Sequence, residues 1–164
     1  MKQTIVIPEF LTHVEKTDNK VAPNKFVKIN NQTIYNGAIT RFTRNTVIGN
    51  MHKYIEDAVD KHILRQHLSP VKIKFIIKTV LNHGSISRRN GKINWKKVGK
   101  NYVPNWDIEN LSSIWIKCIN DVLVKKRILV DDNVKFIKKI SYEFEEVDDI
   151  SEREIIVEIQ DINE

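Results

Sequence analysis

A chain of 164 residues with 41% hydrophobic residues suits one domain with its own core, burying roughly 70% of the surface its unfolded form exposes. One cysteine, Cys118, excludes an internal disulfide framework and fits a reducing, cytoplasmic setting. The opening MKQTIVIPEF has too short an apolar run for a signal peptide, and no stretch can span a bilayer, so no membrane partner is expected.

The net charge of +6 is unevenly placed. Residues 1–60 carry eight bases and six acids, residues 61–106 eleven bases and no acid, and residues 107–164 eight bases and fifteen acids. A basic segment in a folded domain points to a polyanion, because each phosphate it neutralises releases condensed counterions. It fits a solvated lysine-rich face equally well.

Residues 2–8, KQTIVIP, predict a first strand. Residues 9–49 are polar and turn-rich (APNKF, NNQT, YNGA) and predict a loop or arm with short extended pieces such as QTIYN. From 51 to 67 the apolar residues Tyr54, Ile55, Ala58, Val59, Ile63 and Leu64 fall at helical spacing, closed by Ser69-Pro70. VKIKFIIKTVL, 71–81, is rich in β-branched residues and predicts a strand. Glycines and Pro104 among the bases of 82–106 predict a basic loop.

After Glu109, Leu111, Ile114, Trp115, Cys118, Ile119, Val122 and Leu123 mark one buried helix face, with Trp115 and Cys118 in the core. Residues 134–147 alternate, 153–162 form another apolar strand, and DDISE between them predicts a hairpin turn with Glu143, Glu145, Glu146, Asp148 and Asp149 at its tip. The order β-α-β-α-β-β predicts a single α+β domain with two helices on one face of a mixed sheet of about four strands.

Acids return at Asp107 and Glu109, at the end of the basic segment. Residues two apart share a side of an extended chain but lie about 200° apart on a helix. The two carboxylates therefore converge if the chain stays extended there and the helix starts near Asn110, as Pro104 favours. Adjacent carboxylates repel unless a cation sits between them, and a hard divalent cation removes that cost. Acids at a helix start also cap it and complement its dipole, so DIEN alone reads as capping before it reads as metal binding. A second pair, Asp131 and Asp132, follows the helix, where acids often form turns. The helix is some 25 Å long, so meeting Asp107 requires the chain to run back along it. Asn110, Ser113, Lys117 and Asp121 form a polar stripe on the helix. From there Lys117 reaches either a phosphate or Asp121.

DIENLSSIWIKCINDVL followed by ILVDDNV resembles the RusA family of Holliday-junction resolvases. That family's pattern is Asp-x-Asp-Asn-Leu opening a helix, then a helix-ending segment with adjacent aspartates, then a terminal hairpin. The first strand, Pro23-Asn24 in a polar segment, a helix and the VKIKF strand come in family order, so the likeness covers nearly the whole chain. The resemblance implies a small homodimeric endonuclease, of phage or prophage type, that resolves four-way DNA junctions in recombination and repair by paired symmetric nicks. It implies Mg²⁺, with Mn²⁺ able to substitute, held by Asp107, Glu109 and Asp132, and no nucleotide cofactor. Lys117 takes the place of the family's functional lysine when counted back from Asp121 and the aspartate pair. Counted forward from Asp107, Ser113 takes that place, because the helix is about four residues longer. Glu109 stands where the family has aspartate, and Trp106 where an arginine often precedes the first acid.

Arg88, Arg89, Lys92, Lys96, Lys97 and Lys100 are the candidate phosphate contacts. Trp95, Tyr102 and Trp106 are either core or junction wedges. The five histidines and one cysteine make no zinc set, and there is no glycine-rich phosphate loop. A non-catalytic junction- or duplex-binding module, and a metal nuclease for other branched DNA, stay open beside the resolvase.

Overall fold

The alternation of apolar residues decides which face of each strand is buried. A computed structural model describes residues 1–8, 13–15, 26–28, 34–35, 39–79, 108–148 and 150–162. In chain order the elements are β1 (Lys2–Pro8), β2 (His13–Glu15), β3 (Phe26–Lys28), α1 (Arg41–Val59), β4 (Val71–Thr79), α2 (Ile108–Lys125), β5 (Ile137–Glu146) and β6 (Glu154–Asp161). Apart from a small β2–β3 ladder, this is the expected β-α-β-α-β-β order of one α+β domain. No helix among the described residues is long and apolar enough to cross a membrane.

The main sheet has the order β1-β6-β4-β5. β4 runs parallel to β5 and antiparallel to β6. Parallel neighbours need a crossover, and α2 lies between β4 and β5 in the chain. The expected terminal hairpin is therefore not formed, because β4 separates β5 from β6. The connection passes the end of β4, where Val147 N–H donates to Thr79 O at 3.0 Å. Charge and burial both favour this insertion. Lys74 and Lys78 of β4 pair with Glu143 of β5 and Glu154 of β6, and the apolar Val71, Ile73, Phe75 and Ile77 are buried beneath the helices. β5, mostly exposed, takes the edge.

β5 also begins at Ile137 rather than at residue 134, and Val134 is exposed. A bulge between Val71 and Lys72 skips Lys138 in the register. Ile137 and Ile140, three residues apart, thus pair with the inward positions Val71 and Ile73.

The helices cover the inward face of the sheet. α2 contributes Ile114, Trp115, Cys118, Ile119, Val122 and Leu123 to the core, as its spacing predicts, and α1 contributes Val47, Met51, Ile55, Ala58 and Val59. Tyr54 meets Trp115 edge-on, with centroids 6.1 Å apart. Tyr54 also donates its hydroxyl hydrogen to Pro8 O.

α1 departs from expectation at both ends. It starts at Arg41, inside the stretch expected to be loop, because the Thr40 hydroxyl caps it by accepting Thr43 N–H at 3.2 Å. It stops at Val59, and Ile63 is fully exposed. Within the same expected arm, residues 34–35 are helical rather than extended, with Ile34 buried. Residues 61–67 instead run beside the outer edge of β1. Val6 N–H donates to His62 Nε2 at 3.2 Å, and the Gln3 side chain bonds both Arg65 N–H and Arg65 O. The first of these bonds occupies a backbone N–H that an edge strand otherwise leaves open.

Candidate functional site

The end of α2 carries the chain back along its own helix. Arg127 N–H donates to Val124 O and Ile128 N–H to Leu123 O, both at 2.9 Å, while Arg127 sits at φ 59°. This is a Schellman turn with a non-glycine residue in its left-handed position. Ile128 and Leu129 then bury their side chains. Two clamps hold the segment from Ile128 to Phe136. His67 N–H donates to Ile128 O at 2.8 Å, with residues 67 and 129 forming a parallel bridge, and Val71 N–H donates to Phe136 O at 2.7 Å.

Asp131 and Asp132 sit between these clamps and are used differently. Asp131 builds the turn: Oδ1 accepts Asp132 N–H at 2.7 Å and Oδ2 accepts Asn133 Nδ2–H. Asn133 Oδ1 in turn accepts Lys135 N–H at 2.8 Å. The Asp132 side chain is exposed and makes no hydrogen bond or ion pair among the described residues.

The Asp132 side chain lines an open cleft of about 550 Å³ with Ser112, Ser113, Ile116, Lys117 and Asn120 of α2 and Tyr142 of β5. Steps of four residues (112, 116, 120 and 113, 117) place the helical members on adjoining rows of one face. The run back along the helix that the aspartate pair requires is therefore present as far as Lys117. Lys117 Nζ lies 3.6 Å from Asp121 Oδ1, and Asp121 Oδ2 lies 3.6 Å from His52 Nε2. The lysine side chain is 59% exposed, so this long pair holds it weakly. Lys117 thus faces the cleft while loosely pairing with Asp121.

Of the other expected site residues, Asp107, Arg88, Arg89, Lys92, Lys96, Lys97 and Lys100 lie outside the described residues, as do Trp95, Tyr102 and Trp106. Residue 109 is helical, one turn before Ser113, and its side chain is not among those described. α2 starts at Ile108, two residues before Asn110, so Glu109 is already helical, while Asp107 lies outside the described residues. A single aspartate before the first helical residue is itself a strong start signal. Among the described bases of the basic segment, Lys74 and Lys78 pair with acids at 2.8 and 2.9 Å, and hydrogen bonds to Glu143 and Glu154 raise their pKa values. Part of that segment's charge is thus matched by the acidic C-terminal strands.

Asp132 is the described member of the expected metal set, and no three of His, Cys, Asp and Glu come together among the described residues. An exposed carboxylate beside the hydroxyl-bearing side chains of Ser112 and Ser113 suits a hard divalent ion, with the Lys117 ammonium lining the same cleft. Cys118 is no nucleophile: burial pushes its thiol up to about 12.

Asn120 belongs to the cleft although no motif in the sequence singles it out. It is 7% exposed, and its Oδ1 meets neither solvent nor a hydrogen-bond partner. Such a group costs about 1–3 kcal/mol. Its signal in the sequence is an amide between the buried Ile119 and Val122, offset from the solvent stripe.

No protein-family model matches this chain, and no curated protein matches it in sequence.

Proposed function

We propose that this protein is a Mg²⁺-dependent, structure-specific endodeoxyribonuclease that resolves four-way DNA junctions as a homodimer. The observation that carries the reading is the cleft shared by Lys117 and Asp132, a base on α2 and an acid fifteen residues later in the segment that follows it. Asp131 is occupied by its turn, so the adjacent aspartates supply one available carboxylate, at the position the motif requires.

Asp132, with Asp107 and Glu109 as its partners by resemblance, would hold the metal. A divalent cation held by carboxylates supplies a bound water of lowered pKa and neutralises charge on phosphate. Lys117 brings an ammonium to the same cleft, where it offsets the negative charge that develops as the phosphate is attacked. Its loose tie to Asp121 leaves the side chain able to swing toward a strand in the cleft. The homodimer follows from the substrate, since two-fold symmetric nicks call for two symmetry-related clefts.

The test is a labelled four-way junction beside a matched linear duplex, each in Mg²⁺ and in EDTA, with wild type, Asp132→Asn and Lys117→Gln. The expected result is paired nicks in the junction alone, dependent on Mg²⁺ and lost in Asp132→Asn, with junction binding retained. Junction binding without cleavage overturns the enzymatic reading in favour of a binding module. Equal cutting of flaps and single strands overturns the junction specificity.

A further inference from the structure

Asn120 occupies a place where an apolar side chain would pack without penalty. Its buried neighbours on α2 are Cys118, Ile119, Val122 and Leu123, and the residue one turn earlier on its own row is Ile116. A buried carboxamide is ordinarily fixed by partners on both its oxygen and its nitrogen. Here Oδ1 is shut off from solvent and accepts nothing, and among the described residues no hydrogen bond to Nδ2 takes its place. The residue nonetheless lines the cleft that holds Lys117 and Asp132. With Oδ1 enclosed, the NH₂ group is the polar edge available to a ligand, and it offers donors only.

We infer that the Asn120 carboxamide is a phosphate-oxygen subsite of the cleft, donating N–H to a non-bridging oxygen while Lys117, one turn earlier, supplies the charge. The inference deepens the nuclease reading and rests on it for the source of the phosphate, a DNA strand. Its chemistry stands on the cleft alone. The division of labour follows from the groups present: Asp132 repels an anion and attracts a cation, Lys117 does the reverse without direction, and the neutral amide adds direction. Hydrogen bonds from fixed donors to a charged oxygen are about twice as strong as neutral ones.

The experiment uses full-length ¹⁵N-labelled protein and reads the side-chain NH₂ resonances of Asn120, assigned by their loss in Asn120→Asp. The probes are inorganic phosphate and, separately, an unlabelled four-way junction in EDTA. Both should shift these resonances in a saturable way. Asn120→Leu should weaken phosphate and junction binding by roughly tenfold while its thermal midpoint stays level or rises, which a merely structural role for the amide would not produce. Asn120→Asp, which keeps the shape and adds a negative charge, should weaken phosphate binding further.

Resonances that ignore both probes overturn the inference. So does an Asn120→Leu protein that binds as wild type, and so does one that is destabilised while Asn120→Asp binds as tightly as wild type. The two readings separate cleanly. Junction cleavage with silent Asn120 resonances removes the subsite and keeps the nuclease. Phosphate-shifted resonances with no cleavage of any DNA keep the subsite and remove the nuclease.

Discussion

Two polar side chains, His67 and Asn120, are buried almost equally, at 1% and 7% exposure, and the molecule treats them in opposite ways. Both ring nitrogens of His67 are matched. Gln3 is oriented by Arg65, whose N–H donates to Oε1 at 2.6 Å and whose carbonyl accepts from Nε2 at 2.7 Å. The same Nε2 donates to His67 Nε2 at 2.7 Å, which leaves the ring proton on Nδ1, donated to Asp161 Oδ1 at 2.7 Å. The other Asp161 oxygen pairs with the α-amino group of Met1 at 3.0 Å. Asn120 has none of this. A complete network makes a rigid anchor, and an incomplete one at a cleft leaves a group for something that enters. The two regions are also connected, since the backbone of His67 clamps the segment that carries Asp132.

The sharpest division between them is expected at Asp132. Asp132→Asn should remove Mg²⁺-dependent junction cleavage by more than the roughly 10–100-fold typical of residues one step behind a metal ligand. Its thermal midpoint should hold, because the carboxylate bonds to nothing described. Cleavage assays and thermal melts on the same preparation measure both halves. At the other pole, His67→Leu keeps the volume and strips two partners, and should cost about 2–3 kcal/mol in urea unfolding. A loss under about 1 kcal/mol would show that the network is not an anchor.

The anchor should also be acid-sensitive. The hydrogen bond from His67, followed by the α-amino group, holds the Asp161 carboxyl below its usual value of 3.8. A depressed carboxylate contributes stability that is fully present above the unfolded value and is lost as pH falls through the folded one. Melts of wild type should therefore weaken from about pH 3.8 downward, and Asp161→Asn should flatten that part of the decline. Parallel curves for the two proteins would remove the pH role. Asn120→Leu provides the mirror image at the cleft, a gain of about 1 kcal/mol from deleting an unmatched amide, seen as a raised urea midpoint.

How much of this is legible in the chain depends on how far apart the interacting groups are. α2 is legible because Ile114, Trp115, Cys118, Ile119, Val122 and Leu123 repeat within one helix. α1 is half hidden because Val47 is the one buried residue in its first ten. The false hairpin comes from treating strands adjacent in sequence as adjacent in the sheet, when β4, pairing through Lys74 and Lys78, is inserted between them. Asp132 and Lys117 are legible as residue types at a spacing, and their meeting depends on a turn and two clamps that no local pattern encodes. His67 escapes notice because its partners Gln3 and Asp161 are 64 and 94 residues away. Asn120 escapes it because its information is a lack of partners, which exists only once everything around it is packed.

The smallest expected effect concerns the turn that joins the two regions. Arg127 takes a left-handed conformation, φ 59°, that glycine adopts without steric cost and an arginine side chain resists. It does so because the Schellman bonds from Arg127 and Ile128, and the burial of Ile128 and Leu129, require the chain to reverse there. Arg127→Gly relieves that crowding and also loosens the unfolded chain, two effects of opposite sign, so the net gain should be no more than about 0.5–1 kcal/mol. The backbone path to His67 is unchanged, so Asp132 should keep its place in the cleft and cleavage should stay within about twofold of wild type. An Arg127→Gly loss well beyond about 1 kcal/mol in urea unfolding, more than loosening of the unfolded chain accounts for, would mean that the arginine side chain itself helps to hold the turn. The reversal that brings an acid back to Lys117 would then depend on more than its backbone.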